Sequence, residues 1–192
     1  MGGTRMPTSP GKAAHPWCST PKPAASRSVY LKEWLIRMDV LCYWKNHEAD
    51  MKAGRVGHFK STPDKLKELS EGYPDFLWVF NTPKGRKGEV QLLARLKWTD
   101  RATVRHKPEP GTVVIHYDPH DLMSVSFGSG SSDAAIAATS RWMGGHFPKM
   151  AAAHFIGAAG QEAVRGSVLK ELQQLAASMD AQPFMTSENP GG

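Results

Sequence analysis

The sequence predicts an α+β protein built on a small, twisted, largely antiparallel β-barrel of about five or six strands, with flanking helices. Three features between Pro74 and Trp98 predict it. Residues 76–80, FLWVF, are rich in aromatic and β-branched side chains, which favour strand. Residues 81–88 hold one proline, two glycines and three cations, a composition typical of a turn. Apolar and polar residues then alternate, so the stretch is predicted to be a β-hairpin.

The alternation predicts that the second strand of this hairpin has one buried face. The apolar positions are Val90, Leu92, Ala94, Leu96 and Trp98, and the polar positions between them are Glu89, Gln91, Arg95 and Lys97. Leu93 is the one exception. A period of two is the pattern of a strand that packs one side on a core.

Before the hairpin, the sequence predicts a strand and two helices. Residues 34–38, WLIRM, favour a first strand. Asp39 is a suitable N-cap for a helix to about residue 53, whose apolar stripe is Val40, Tyr43, Trp44 and His47. Thr62, followed by Pro63 and Asp64, predicts the start of a short second helix.

After the hairpin, the sequence predicts strands at 112–117 and within 122–127. Asp133 is expected to cap an alanine-rich helix that reaches about residue 143, where Gly144 and Gly145 interrupt it. A last helix is predicted over 162–179 and packs on the body through Val164, Val168, Leu172 and Leu175.

The chain of 192 residues suits one domain, predicted at 30–180. Residues 1–29 carry cations without acids and are rich in Pro, Ser, Gly and Ala, so we expect a disordered basic leader. We favour a dispensable segment there over a nucleic-acid arm or a transit peptide. Residues 181–192 are predicted to be a flexible tail.

Cysteine content and hydropathy favour a reduced, cytoplasmic protein without a membrane partner. Cys18 and Cys42 allow at most one bridge, and Cys18 lies in the predicted leader. No apolar run approaches the roughly 18 residues that a membrane span needs. The N-terminus also lacks the apolar core of a signal peptide.

The net charge of +6 is unevenly distributed. Cations exceed acids in residues 1–107, and acids exceed cations in residues 108–192. A basic first half is compatible with a polyanion partner such as nucleic acid. A protein whose lysines only solvate its surface has the same composition.

Catalytic and metal-binding motifs are weak in this sequence. His116 and His120 have a metal-ligand spacing, but they span a strand end and a proline, with only Asp118 and Asp121 near as further ligands. Neither a phosphate-binding loop nor a nucleophile elbow is present. We therefore predict no catalytic residues, no metal and no cofactor, and regard a non-enzyme as the better interpretation.

Aromatic and basic residues give the sequence its functional hypothesis. Two loops carry candidate nucleic-acid contacts: Arg55, His58, Lys60 and Ser61 in the first, and Lys84, Arg86 and Lys87 in the second. Trp34, Trp44 and Phe59 are candidate walls of a base pocket, because aromatic rings stack on bases while cations hold phosphates. The alternative is that the aromatic residues are core and the loops are solvated turns.

The order of these elements resembles the PUA-like superfamily and, within it, the EVE-type domains. A strand that opens with Trp34 is followed by a helix, GRVGHFKS (54–61), a short helix and YPDFLWVFNTPKG (73–85) with LLARLKW (92–98). The family's usual Gly-Asp before the second strand is Pro74-Asp75 here. The resemblance implies a compact β-barrel that reads RNA or modified DNA bases, often in modification or phage-defence systems.

These observations predict a non-catalytic domain that binds DNA or RNA, with a modified base flipped into an aromatic pocket as one form of that function. A metal-dependent nuclease is one alternative. The other is an interaction module that binds a protein partner and no nucleic acid.

Overall fold

The computed structural model describes residues 1–3, 37–103, 113–152, 155 and 160–185. Trp34 and most of the predicted leader lie outside these residues. The strands are β1 Met38–Tyr43, β2 His58–Ser61, β3 Phe76–Asn81, β4 Gln91–Thr99, β5 Val113–Asp118, β6 Val125–Phe127, β7 Gln161–Arg165 and β8 Ala181–Pro183. The helices are α1 His47–Lys52, α2 Pro63–Ser70, α3 Asp133–His146, α4 Pro148–Ala152 and α5 Gly166–Ala177, and a 3₁₀ turn covers Gly128–Ser131.

One curled sheet organises the fold. Its order is β2-β5-β4-β3-β1-β7, and β6 pairs with β4 while β8 pairs with β6. β1 and β3 are parallel, and the other described pairs are antiparallel. The α+β class and the flanking helices are therefore confirmed. The sheet is an open half-barrel, because no backbone ladder joins β2 to β7 within the described residues.

Both faces of the sheet are buried, so the fold has two hydrophobic cores. The helical core lies under α3 and α5 and includes Leu41, Trp78, Phe80, Leu92, Met143, Leu169 and Leu172. The strand core lies on the other face and includes Val40, Cys42, Trp44, Leu69, Leu77, Val79, Ala94, Leu96, Ile115 and Tyr117. Alternate residues of one strand thus enter different cores, as the pleat requires.

The predicted hairpin is present as β3 and β4, and the alternating positions of β4 are buried down to Leu96. Their assignment to one face is wrong. The register shifts between Val79, opposite Ala94, and Phe80, opposite Leu92, so Leu93 is an extra residue. This bulge directs Leu92 into the helical core and Ala94 into the strand core. The one exception to the alternation is therefore the bulge itself.

The predicted helix from Asp39 to residue 53 is wrong in its first half. Residues 38–43 are strand β1, and only His47–Lys52 is helical. Strand β1 is buried on both faces between β3 and β7, and such a strand reads as a continuous apolar run that periodicity cannot separate from a helix. Asp39 does not cap a helix, because its carboxylate accepts hydrogen bonds from β3.

The other predicted helices are present, and two of them differ from the observed helices in the residue at which they begin. Thr62 caps α2 as predicted, and its hydroxyl accepts from the Lys65 N–H at 3.3 Å. Ser132, rather than Asp133, caps α3, and that helix continues through the two glycines to residue 146. The predicted helix at 162–179 starts later, because residues 161–165 form β7 with Val164 opposite Asp39.

The predicted tail from residue 181 is described as far as residue 185. It begins with strand β8, which pairs with β6. Phe184 follows and is buried in the strand core against Trp44 and Tyr117. This apolar side chain anchors a segment that composition assigned to the tail. No helix in the described part of the chain has the length and apolar character to cross a membrane.

Candidate nucleic-acid interface

Two members of the first predicted loop, Arg55 and Ser61, make contacts with other side chains of the protein. The Arg55 guanidinium contacts the Asp50 carboxylate at 2.8 and 2.9 Å, and Asp50 also accepts from Trp44 Nε1 at 2.7 Å. The Ser61 hydroxyl donates to Gln161 Oε1 at 2.6 Å. These bonds account for both side chains without a ligand.

The predicted base-pocket residues Trp44 and Phe59 pack on each other. Their ring centroids are 5.3 Å apart in an edge arrangement, and Trp44 is only 6% exposed. Phe59 also lies 5.2 Å from the Tyr117 ring. Both side chains belong to the strand core, which differs from their predicted role as pocket walls. Phe59 lies opposite Ile115, a residue of the strand core, in the pairing of β2 with β5, and Trp44, which follows β1, packs against its ring.

The second predicted loop is divided between one paired and two exposed cations. Arg86 contacts the carboxylates of Glu89, at 3.3 Å, and Asp133. The hydrogen bond to Asp133 is the main reason that the pKa of Arg86 is raised. Lys84 and Lys87 are exposed. Arg86 therefore ties the hairpin loop to the start of α3 and is less available to a phosphate than its neighbours.

A cavity of about 330 Å³ lies at the other end of β4. Its lining comes from α2, from the end of β4 with the turn after it, and from β5: Leu66, Ser70, Trp98, Thr99, Asp100, Val114 and His116. The cavity and the hairpin loop are separated by the length of β4, about 26 Å of extended chain.

Aromatic and polar residues at the end of β4 line this cavity and are hydrogen-bonded to each other. Trp98 is half-buried, and its Nε1 donates to Asp100 Oδ1 at 3.1 Å. Thr99 Oγ1 exchanges hydrogen bonds with the backbone of Arg101, which fixes the turn after β4. The site thus lies where the two faces of the sheet meet at its end, because Trp98 is opposite Tyr117 on the strand-core side and His116 is opposite Thr99 on the other side.

Two of the predicted nucleic-acid residues lie on β2, the strand that pairs with the cavity-lining strand β5. In the pairing of β2 with β5, His58 lies opposite His116 and Lys60 lies opposite Val114. Directly opposed residues of an antiparallel pair extend to the same face, with Cβ atoms about 4.5–5.5 Å apart. Trp98 lies opposite Tyr117 and therefore extends to the other face, so His58 and Lys60 do not share a face with the indole, whereas the exposed Arg101 lies in the turn beside it.

A buried carboxylate lies between β1 and β3. Asp39 is 2% exposed and accepts from Trp78 Nε1 at 2.7 Å and from the Phe76 N–H at 3.2 Å. Burial raises the pKa of Asp39, and the two hydrogen bonds oppose that rise. The Arg95 guanidinium lies over the rings of Phe76 and Trp78, 4.7 and 5.8 Å from their centroids. This cluster stabilises the register of the central strands.

Metal ligands do not converge in the described part of the chain, where no group of three or more His, Cys, Asp or Glu side chains has a geometry that suits an ion. His116 and His120 lie in different environments. His116 lines the cavity, while His120 is exposed in the turn after β5. The Asp118 carboxylate accepts from the His120 N–H at 3.0 Å and so fixes this turn.

Sequence reasoning missed Trp98 and Asp100 as site residues. Trp98 was the last member of the alternating set and was interpreted as core. The signal that separates it from the other members is the polar run Thr99, Asp100 and Arg101 directly after it, which marks a strand end at the surface.

Comparison of the chain with protein-family models, with curated proteins and with solved structures found no match. The geometry of the cavity and the charges near it are therefore the basis for a functional proposal.

Proposed function

We propose that this protein is a non-catalytic nucleic-acid-binding domain that holds one base in the cavity beside Trp98. The observation that carries the proposal is the position of that cavity, which Trp98 and Asp100 line at the end of β4, with the exposed Arg101 in the turn beside them. An indole supplies stacking for a base, and arginine supplies a counter-charge for a phosphate. Asp100 offers a carboxylate acceptor to the amino group of a base.

The size of the cavity favours a single base. Its volume of about 330 Å³ is at the lower end of the range for small-ligand sites. A paired base inside a duplex does not reach such a site, so the ligand base has to be unpaired or flipped out of the stack. A modified base is one ligand of this class.

We further propose that the curled sheet is a PUA-like barrel of the EVE type. The support for this second proposal is the side chain of Gln161, in the edge strand β7. Its Oε1 accepts from the Ser61 hydroxyl, and its Nε2 donates to the Lys60 carbonyl at 2.7 Å. These contacts link β2 to β7, the two ends of the sheet, through side chains.

The test is fluorescence anisotropy of the full chain with labelled short single strands of DNA and RNA, at several salt concentrations. Trp98→Ala should weaken binding about 5- to 150-fold, the expected effect of one lost stacking contact. Arg101→Ala should lower the log–log salt slope by about one, whereas Lys170→Ala, an exposed lysine on α5, should not. Absence of wild-type binding at low salt would overturn the proposal. Probes that carry a methylated base test the modified-base form.

The alternative of a protein-interaction module has one observation in its favour. Leu122 and Met123, in the turn between β5 and β6, are 95% and 48% exposed. Exposed apolar side chains of this kind mark protein contacts when they form a contiguous patch. Failure of all nucleic-acid probes would leave this module as the better interpretation.

A further inference from the structure

Tyr73 is a nearly fully exposed aromatic residue at the end of α2. Its exposure is 89%, and it follows Gly72 in the connection from α2 to β3. Its backbone φ is +48°, in the left-handed region. Glycine or asparagine normally occupies this conformation after a helix, since a larger side chain adopts it at an energetic cost.

The surroundings hold Tyr73 in this conformation. Its N–H donates to the Ser70 carbonyl at 3.1 Å, and the next residue, Pro74, is buried. The Asp75 N–H then donates to the Met38 carbonyl at 3.3 Å, which joins the connection to β1. Left-handed residues that are not glycine persist where the structure fixes them, and they are concentrated at functional sites.

Hydrogen bonds connect the segment around Tyr73 to two residues that line the cavity. Ser70, which accepts the Tyr73 N–H, lines the cavity from α2. Asp75, two residues further, accepts from the Trp98 N–H at 3.1 Å, and Trp98 lines the cavity from β4. The segment 70–75 is therefore tied to the cavity at both ends, and Tyr73 is its exposed aromatic residue.

We infer that Tyr73 is the stacking residue for the base next to the one held beside Trp98, and that the ligand is therefore single-stranded. This inference rests on the proposed function. Two aromatic surfaces at one site bind successive unpaired bases without regard to sequence. In a duplex the neighbouring base is stacked between its own partners, so the ring of Tyr73 gains nothing from it.

The test compares three variants of the full chain, Tyr73→Gly, Tyr73→Phe and Trp98→Ala, by anisotropy with a labelled single strand and with the same strand annealed to its complement. Tyr73→Gly should weaken binding to the single strand about 5- to 150-fold. Its melting temperature should be unchanged or higher, since glycine adopts the left-handed conformation without strain. Tyr73→Phe keeps the ring and should bind like the wild type.

The outcomes separate this inference from the proposed function. If Tyr73→Gly binds the single strand like the wild type while Trp98→Ala does not, the stacking role is overturned and the base cavity stands. If the duplex binds as tightly as the single strand, the inference of a single-stranded ligand is overturned. If the wild type binds neither probe, the proposed function fails and this inference fails with it.

Discussion

Two indole–carboxylate pairs in this protein have the same chemistry and opposite surroundings. Trp78 donates to Asp39 at 2.7 Å, and both residues are buried, 1% and 2% exposed. Trp98 donates to Asp100 at 3.1 Å at the edge of a cavity, where Asp100 is exposed. The first pair uses its hydrogen-bonding capacity inside the fold. The second is only partly buried, with its indole packed against the strand core and its carboxylate in solvent, so environment rather than residue type separates a buried structural pair from a candidate binding pair.

The largest expected effect on stability comes from introducing a carboxylate into the core where no hydrogen-bond donors reach it. Leu92 is fully buried in the helical core, opposite Phe80. Leu92→Asp should cost at least about 4 kcal/mol in the free energy of unfolding and leave the domain unfolded, because a charge would be buried without the two donors that Asp39 has. Gln91→Asp, at the half-buried neighbouring position, should cost about 1 kcal/mol or less. Circular dichroism with urea titration measures both, and equal losses would contradict the assignment of β4.

The second-largest effect on stability is expected at Trp78, and the matching change at Trp98 is the comparison. Trp78→Ala should cost about 3–5 kcal/mol in the free energy of unfolding, because it opens a cavity and removes a donor from Asp39. Trp98→Ala should cost less than half of that, because Trp98 is only partly buried where it packs against the strand core. Denaturant midpoints measure both variants. Comparable losses would show that Trp98 is a core residue like Trp78.

The third effect is a pH dependence of stability at Asp39. Its pKa in the folded protein is raised, so the folded state binds the proton more tightly than the unfolded state does. The stability that this provides is complete below the unfolded pKa of about 3.9 and is lost as pH rises through the folded pKa.

Thermal melts of wild type and Asp39→Asn from about pH 4 to about pH 8 test this linkage. The stability of the wild type relative to Asp39→Asn should fall as pH rises. Asp100→Asn is the matched control, since Asp100 is exposed and its removal takes no charge out of the interior. A difference between wild type and Asp39→Asn that is constant with pH would be inconsistent with a raised pKa.

The smallest effect on stability is expected at the hairpin loop. Changing Lys84, Arg86 and Lys87 together to alanine should leave the fold intact and weaken oligonucleotide binding modestly. The log–log salt slope should fall by about two rather than three, because Arg86 is already paired with Glu89 and Asp133. Lys149→Ala and Lys170→Ala should leave it unchanged. An unchanged slope in the triple variant would make this loop a solvated turn.

Particular residues show how far prediction from the sequence reached. The hairpin and the Thr62 cap were predicted correctly, because alternation and capping depend on neighbours in sequence. Strand β1 was interpreted as helix, and β7 as the start of a helix, because their partners are remote. Val40 pairs with both Leu77 and Ala163, and no residue near Val40 in the sequence indicates either contact.

The sequence by itself determined the α+β class, the central hairpin and the excess of cations in the first half, since these follow from local preference and composition. Tertiary structure decided which aromatic residue is core and which lines a cavity. Trp44 directly follows β1 and Trp98 is the last residue but one of β4, yet pairing and curl pack Trp44 against Phe59 and leave Trp98 beside an opening. Burial is a property of the assembled sheet, because it depends on the strands and helices that cover a side chain.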